Sequence, residues 1–179
     1  MEDIGDKWFV LARPRSRTAW FTEALNRLGA KAGHDSSCQV STIKDLSTLD
    51  VDVIVDTALA VHWKQLPLDK IVVIDRPLEE CIDSSYKAFN TSPSALFIGV
   101  DEAVNEMLEA NVTSIKYKDL SDYSKFNEIV NTLVGKSCSK EQHDALDKEY
   151  VVVDVEQETE RFNYYAQNIN SLYGDYLSC

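Results

Sequence analysis

Three arginines stand within five residues of this chain, at Arg13, Arg15 and Arg17, although its formal net charge is −12. They follow an apolar run, Trp8 to Ala12, and lead into a segment with a helical pattern from Thr18. Strand, basic polar loop and helix start are together the layout of an anion cradle. The first N–H groups of a helix lack intrahelical acceptors, and the helix dipole places positive potential around them. A guanidinium adds a planar fork of donors that matches two oxygens of a phosphate or sulfate. The loop therefore predicts binding of a small polyanion. Three further strand ends carry reactive types: His34-Asp35, Asp56-Thr57 and Asp75-Arg76.

The elements that must position these residues read as an α/β pattern. Continuous apolar runs at Lys7–Ala12 and Lys70–Asp75 predict strands buried on both faces of a sheet. Weaker strands are predicted at Ala30–Asp35, Val51–Asp56, Val112–Tyr117 and Tyr150–Val155. Helices are expected from Thr18 to Gly29, Thr57 to Leu66, Leu78 to Phe89, Asp101 to Ala110, Phe126 to Val134, Ser139 to Lys148 and Glu158 to Tyr176. Trp20, Phe21, Ala24, Leu25 and Leu28 give the first helix an apolar stripe, and Pro77 suits the first turn of the Leu78 helix. Ser36 to Leu49 reads as irregular, with a turn or short helix. The alternation predicts an α/β three-layer sandwich with a mostly parallel central sheet, in one domain over 1–179. In such sheets ligands sit beyond the carboxyl ends of the strands, where the four loaded strand ends converge.

Bulk properties narrow the partners. Strong acidity disfavours nucleic-acid and anionic-membrane surfaces, because no general phosphate-neutralising face is present. No apolar run reaches transmembrane length and the first residues are acidic, so a cytoplasmic location is expected. Cys38, Cys81, Cys138 and Cys179 are widely spaced, which favours reduced thiols over a zinc or disulfide framework. The stripe of the last helix reads as core, with a homodimer contact through Tyr164, Tyr165, Tyr173 and Tyr176 as the alternative.

Three segments, in order, resemble the sulfotransferase family, whose fold is P-loop NTPase-like. Pro14-Arg-Ser-Arg-Thr-Ala-Trp20 resembles its 5′-phosphosulfate loop. The strand Ile71 to Asp75, then Arg76 and, eight residues on, Ser84, is similar to its 3′-phosphate segment. Ile115-Lys-Tyr-Lys-Asp-Leu120 is similar to its strand ending in Tyr-Glu-Asp-Leu. The resemblance covers about residues 7 to 120 and is that of a small, divergent member. It implies 3′-phosphoadenosine 5′-phosphosulfate (PAPS) as donor, no metal, and transfer of the sulfuryl group to a hydroxyl or amine acceptor. It implies that Arg13, Arg15, Ser16, Arg17, Thr18 and Ala19 line the 5′ side and that Arg76 and Ser84 hold the 3′-phosphate. Arg15, at the family's lysine position, would stabilise charge building on the bridging oxygen.

The departures bear on the chemistry. Arg17 replaces the loop glycine, a strained choice if that position needs positive φ. Ala19 removes a hydroxyl, and Val55-Asp-Thr-Ala58 holds no histidine where the family has its base. The family's late Arg-Lys-Gly segment is absent. The base is therefore expected at His34, oriented by Asp35, or at Asp56, which equally suits a capping role. His62, Lys64 and His143 read as surface residues, and the acidic helices at 101–110 and 139–149 as solvated faces. Two other readings stand beside the enzyme. One is a non-catalytic anion-binding module of the same fold. The other is a degenerate P-loop kinase, disfavoured by the lack of a Gly-x-x-x-x-Gly-Lys-Ser/Thr motif.

Overall fold

The structure, a computed structural model, describes residues 4–89 and 95–148. Among the described residues five strands form one sheet: β1 (Trp8–Ala12), β2 (Ala32–His34), β3 (Val53–Asp56), β4 (Ile71–Asp75) and β5 (Thr113–Lys116). Their spatial order is β2-β3-β1-β4-β5 and every pairing is parallel. The helices are α1 (Thr18–Arg27), α2 (Leu78–Phe89), α3 (Ala95–Glu109), α4 (Tyr123–Val134) and α5 (Lys140–Lys148).

Side chains along a strand alternate between faces, and that alternation builds two cores. Phe9, Leu11, Ile54, Ile71 and Val73 point to one face, where they meet Leu59, Trp63, Val100, Val104 and Met107. Val10, Ala12, Val53, Val55, Val72 and Ile74 point to the other, against α1, α4 and α5. Trp20, Phe21 and Phe126 cluster there, with centroids 5.7 to 6.5 Å apart in tilted and edge-on pairs. Both faces are covered, so the expected three-layer α/β sandwich is present, with an all-parallel sheet among the described strands. Among the described residues no helix is long and apolar enough to cross a membrane.

Several boundaries differ from expectation. Residues 57–66 do not form an α-helix; Ala58–Gln65 winds as tighter 3₁₀ turns. The stretch after β2 holds two such turns, Ser36–Gln39 and Ile43–Thr48. Helix α3 starts at Ala95, six residues before the acid that suggested its cap, because Asp101 is an interior residue engaged elsewhere. His143 is not on the surface: it is 2% exposed, with Nε2 3.0 Å from the Leu120 carbonyl and its ring against Phe126. His143 and Leu146 stand three residues apart on the buried side of α5, so the charged residues around His143 do not expose it. The expected strand Tyr150–Val155, the last helix with its tyrosines, and Cys179 lie outside the described residues.

The topology selects one crevice. The chain leaves β1 toward β2 on one side and leaves β4 toward β5 on the other. Adjacent strands whose connections diverge open a cleft at their carboxyl ends. The loop 13–17 and the segment Asp75-Arg76-Pro77 form its two lips.

Candidate functional site

The loop between β1 and α1 sends its three arginines in three directions. Arg13 turns to the α3 layer and is 4% exposed. Its Nε donates to Asp101 Oδ1 at 2.5 Å and its Nη2 to Asn105 Oδ1 at 2.6 Å. Its Nη1 donates to Asp75 Oδ1 at 3.2 Å and to the Arg76 carbonyl at 3.0 Å. All three guanidinium nitrogens are thus engaged in tying β1 to β4 and α3. Arg17 turns to the opposite layer, where its guanidinium lies 3.8 Å from the Trp20 ring centroid. It donates to Asp147 Oδ1 at 3.0 Å and to Ser121 Oγ at 3.1 Å. Ser121 donates to the same Asp147 oxygen at 2.8 Å. Burial raises the Asp147 carboxyl, but the Ser121 hydroxyl and the Arg17 guanidinium outweigh it and hold the group below the ordinary range. Two of the four arginines predicted to contact the ligand, Arg13 and Arg17, are therefore occupied as staples between the loop and the helical layers.

Arg15 takes the third direction, into the crevice. Its Nε lies 3.4 Å from Ser84 Oγ on α2. Arg76 closes the other lip: its Nη1 donates to the Arg15 carbonyl, and its Nε donates to Glu80 Oε2 at 3.3 Å. The Arg76 guanidinium lies 4.1 Å from the ring centroid of Tyr117, a residue of the third motif. Ser16 is fully buried, with Oγ 3.9 Å from Cys81 Sγ. Burial pushes the Cys81 thiol upward, against the contrary pull of the Ser16 hydroxyl, so it is no ready nucleophile. Four predicted residues that are far apart in sequence, Arg15, Ser16, Arg76 and Ser84, thus meet at the β1–β4 crevice.

Backbone geometry adds to the site. Arg15 has φ 67° and Arg17 φ 62°, both left-handed, while Ser16 between them does not. Such alternation turns successive N–H groups toward a common concavity. Position 17 does need positive φ, and arginine adopts it at a cost of about 1–2 kcal/mol, as expected for an L-residue. At the start of α1 no side chain caps the helix, and no acid lies in its first turn. The Thr18 and Ala19 N–H groups belong to that first turn, which intrahelical bonds do not satisfy. Thr18 presents its hydroxyl sideways, 3.1 Å from His34 Nε2. His34 Nδ1 faces Asp35 Oδ2 at 3.4 Å.

The end of β3 is built differently. Asp56 is fully buried, and its two oxygens accept the Ser37 N–H at 2.9 Å and the Leu59 N–H at 2.8 Å. Burial pushes its carboxyl above the ordinary range, although those amides oppose the shift. The group caps two short turns, and its geometry is that of a cap rather than of a base facing a substrate. His62 and Lys64 stand on the Ala58–Gln65 turns, with Lys64 paired to Glu106 at 2.8 Å. Cys38, Cys81 and Cys138 form no disulfide.

Sequence reasoning missed Asp101, Asn105, Ser121, Asp147 and Tyr117 as partners of the basic residues. No local signal pointed to the first two: on α3, Asp101 is half-buried and Asn105 exposed, and both read as part of a solvated helix face. No family model, curated protein or solved structure matches the chain.

Proposed function

We propose that the β1–β4 crevice binds the phosphosulfate nucleotide PAPS, and that the protein is a sulfotransferase-like enzyme acting on a hydroxyl or amine acceptor. The observation that carries this reading is the meeting of Arg15, Arg76 and Ser84 in front of an uncapped helix N-terminus. The residues fit an anion of this kind. Two guanidinium groups and a hydroxyl face it from the lips, and the first-turn N–H groups of α1 face it from below.

PAPS supplies the activated sulfuryl group; the protein supplies charge and position. Arg15 and the first turn of α1 hold the 5′ side and offset charge on the leaving oxygen. Arg76 and Ser84 hold the 3′-phosphate, which separates this nucleotide from ATP. His34 is the base of this reading, because Asp56 is buried and bonded through both oxygens. Asp35 orients His34 through Nδ1. Arg13 and Arg17 act indirectly, holding the loop on which Arg15 stands.

One observation favours a second reading, a non-catalytic anion-binding module. His34 Nε2 already meets a protein hydroxyl, that of Thr18. Thermal shift and calorimetry with adenosine 3′,5′-bisphosphate, with ATP and magnesium, and with sulfate separate the readings. The proposal expects binding of the bisphosphate and its stabilisation of the fold. Silence toward the bisphosphate sinks the proposal, and preference for magnesium ATP installs a kinase instead. Bisphosphate binding without turnover of PAPS, across a panel of phenols, alcohols and amines, selects the binding module.

A further inference from the structure

We infer that Thr18, His34 and Asp35 form a proton-linked donor switch, in which the Thr18 hydroxyl turns to a bound anion only when His34 carries its second proton. The inference rests on the reading above, that an anion sits before the first turn of α1.

Thr18 opens α1 and is 8% exposed. Its Oγ1 lies 3.1 Å from His34 Nε2, and His34 Nδ1 faces Asp35 Oδ2 at 3.4 Å. A hydroxyl has one proton to give. In the neutral imidazole, Asp35 selects the tautomer protonated at Nδ1, so Nε2 offers a lone pair. Thr18 then donates to Nε2 and meets an anion with oxygen lone pairs. In the imidazolium both ring nitrogens donate, and the Nε2–H points at Thr18 Oγ1. The Thr18 proton is then released to turn toward the anion, and a positive charge stands one hydroxyl away. Hydrogen-bond direction and charge act in the same sense. Proton and anion therefore strengthen each other's binding by the same factor.

The elements packed against β2 carry these polar, titratable and charged groups, of which Thr18 and Asp35 meet the His34 ring. Asp35 and Cys38 lie in the turn after β2, with Cys38 Sγ donating to the Asp35 carbonyl. Asp56 lies at the end of β3, bound to the Ser37 and Leu59 amides. From α1 come Thr18 and, one residue before it, Arg17 paired with Asp147; further along α1, Glu23 and Arg27 pair with each other.

Inorganic sulfate is the probe, because it keeps its charge between about pH 5 and 8, where histidine titrates. Its binding to the full chain is measured at constant ionic strength, with the His34 ring nitrogens followed by nitrogen-15 NMR. The expected result is tighter binding on acidification, by up to about tenfold per pH unit for one linked proton, and a His34 midpoint that rises with sulfate. Thr18→Ser keeps the linkage, His34→Gln removes the pH dependence, and Thr18→Val loses most of the midpoint shift. Sulfate binding of equal strength at every pH, with an unmoved His34 midpoint, overturns the switch and leaves the anion site standing. Full linkage in Thr18→Val also overturns it, since the hydroxyl then has no part. Absence of sulfate binding at every pH overturns the anion site itself, and the switch with it.

Discussion

Two helical starts lie side by side at the carboxyl edge of the sheet, and they are finished in opposite ways. Where the chain leaves β3, a buried carboxylate, Asp56, receives the amides of Ser37 and Leu59. Where it leaves β1, the helix has no side-chain cap, and arginines occupy positions 15 and 17 before it. An acid at a helix start neutralises the potential that attracts anions; an arginine-rich loop adds to it. The difference separates a strand end that is finished internally by an acid from one whose helix start is uncapped and basic, the end at which the proposed ligand would sit. It also divides the arginines. Arg13 and Arg17 are anchored to carboxylates in opposite layers, and the loop held between them points Arg15 at Ser84.

The contrast is most readily broken through its anchor. Arg13→Ala removes the buried partner of Asp101 and one of the partners of Asp75, and is expected to cost about 3–5 kcal/mol in chemical denaturation. A loss under 1 kcal/mol would mean that the loop does not depend on this tie. Asp56→Ala comes next: each amide left without an acceptor costs about 1–3 kcal/mol, with no loss of affinity for anions. A weaker anion site in that variant would move Asp56 from scaffold to ligand machinery.

Asp56 also carries a pH signature. Burial raises its carboxyl in the folded state, so the native protein holds that proton more tightly than the unfolded chain. The resulting stability is fully present below the unfolded value of about 3.9 and is lost as pH rises through the folded one. Urea denaturation across that range should show the wild type losing stability relative to Asp56→Asn as pH rises. Parallel profiles would contradict the buried-acid assignment. The smallest effect belongs to Arg17. Arg17→Gly relieves the left-handed backbone while losing the Trp20 and Asp147 contacts, for a net change within about 1 kcal/mol. Arg17→Ala keeps the backbone cost and loses the contacts, so it should be the less stable of the two; the reverse order would mean that the clamp contributes nothing.

The sheet was legible where local patterning carries the information. Ile71 to Asp75, a run of aliphatic residues between Asp69 and Pro77, could only be a buried strand, and Leu78–Phe89 was delimited by Pro77 and its apolar spacing. Lysines, acids and the histidine of α5 suggested a solvated helix, but His143 is held inside by a carbonyl 23 residues away in sequence. The same limit applies to the site. Its address, with Arg76 and Ser84 beside the first loop, was readable because the topology of a parallel sheet brings strand ends together. The use made of each arginine was not readable. It is decided by partners 88 and 130 residues away, Asp101 and Asp147, that no local pattern announces.

The central claim is that the β1–β4 crevice takes a nucleotide through Arg15, Arg76 and Ser84. Calorimetric titration of adenosine 3′,5′-bisphosphate against adenosine 5′-monophosphate, in the wild type and in Arg76→Ala, tests it most directly. The account predicts saturable binding, a preference of about tenfold or more for the bisphosphate from its extra charge-assisted contacts, and loss of that preference in Arg76→Ala. No binding of the bisphosphate, or an Arg76→Ala protein with the preference intact, would contradict it.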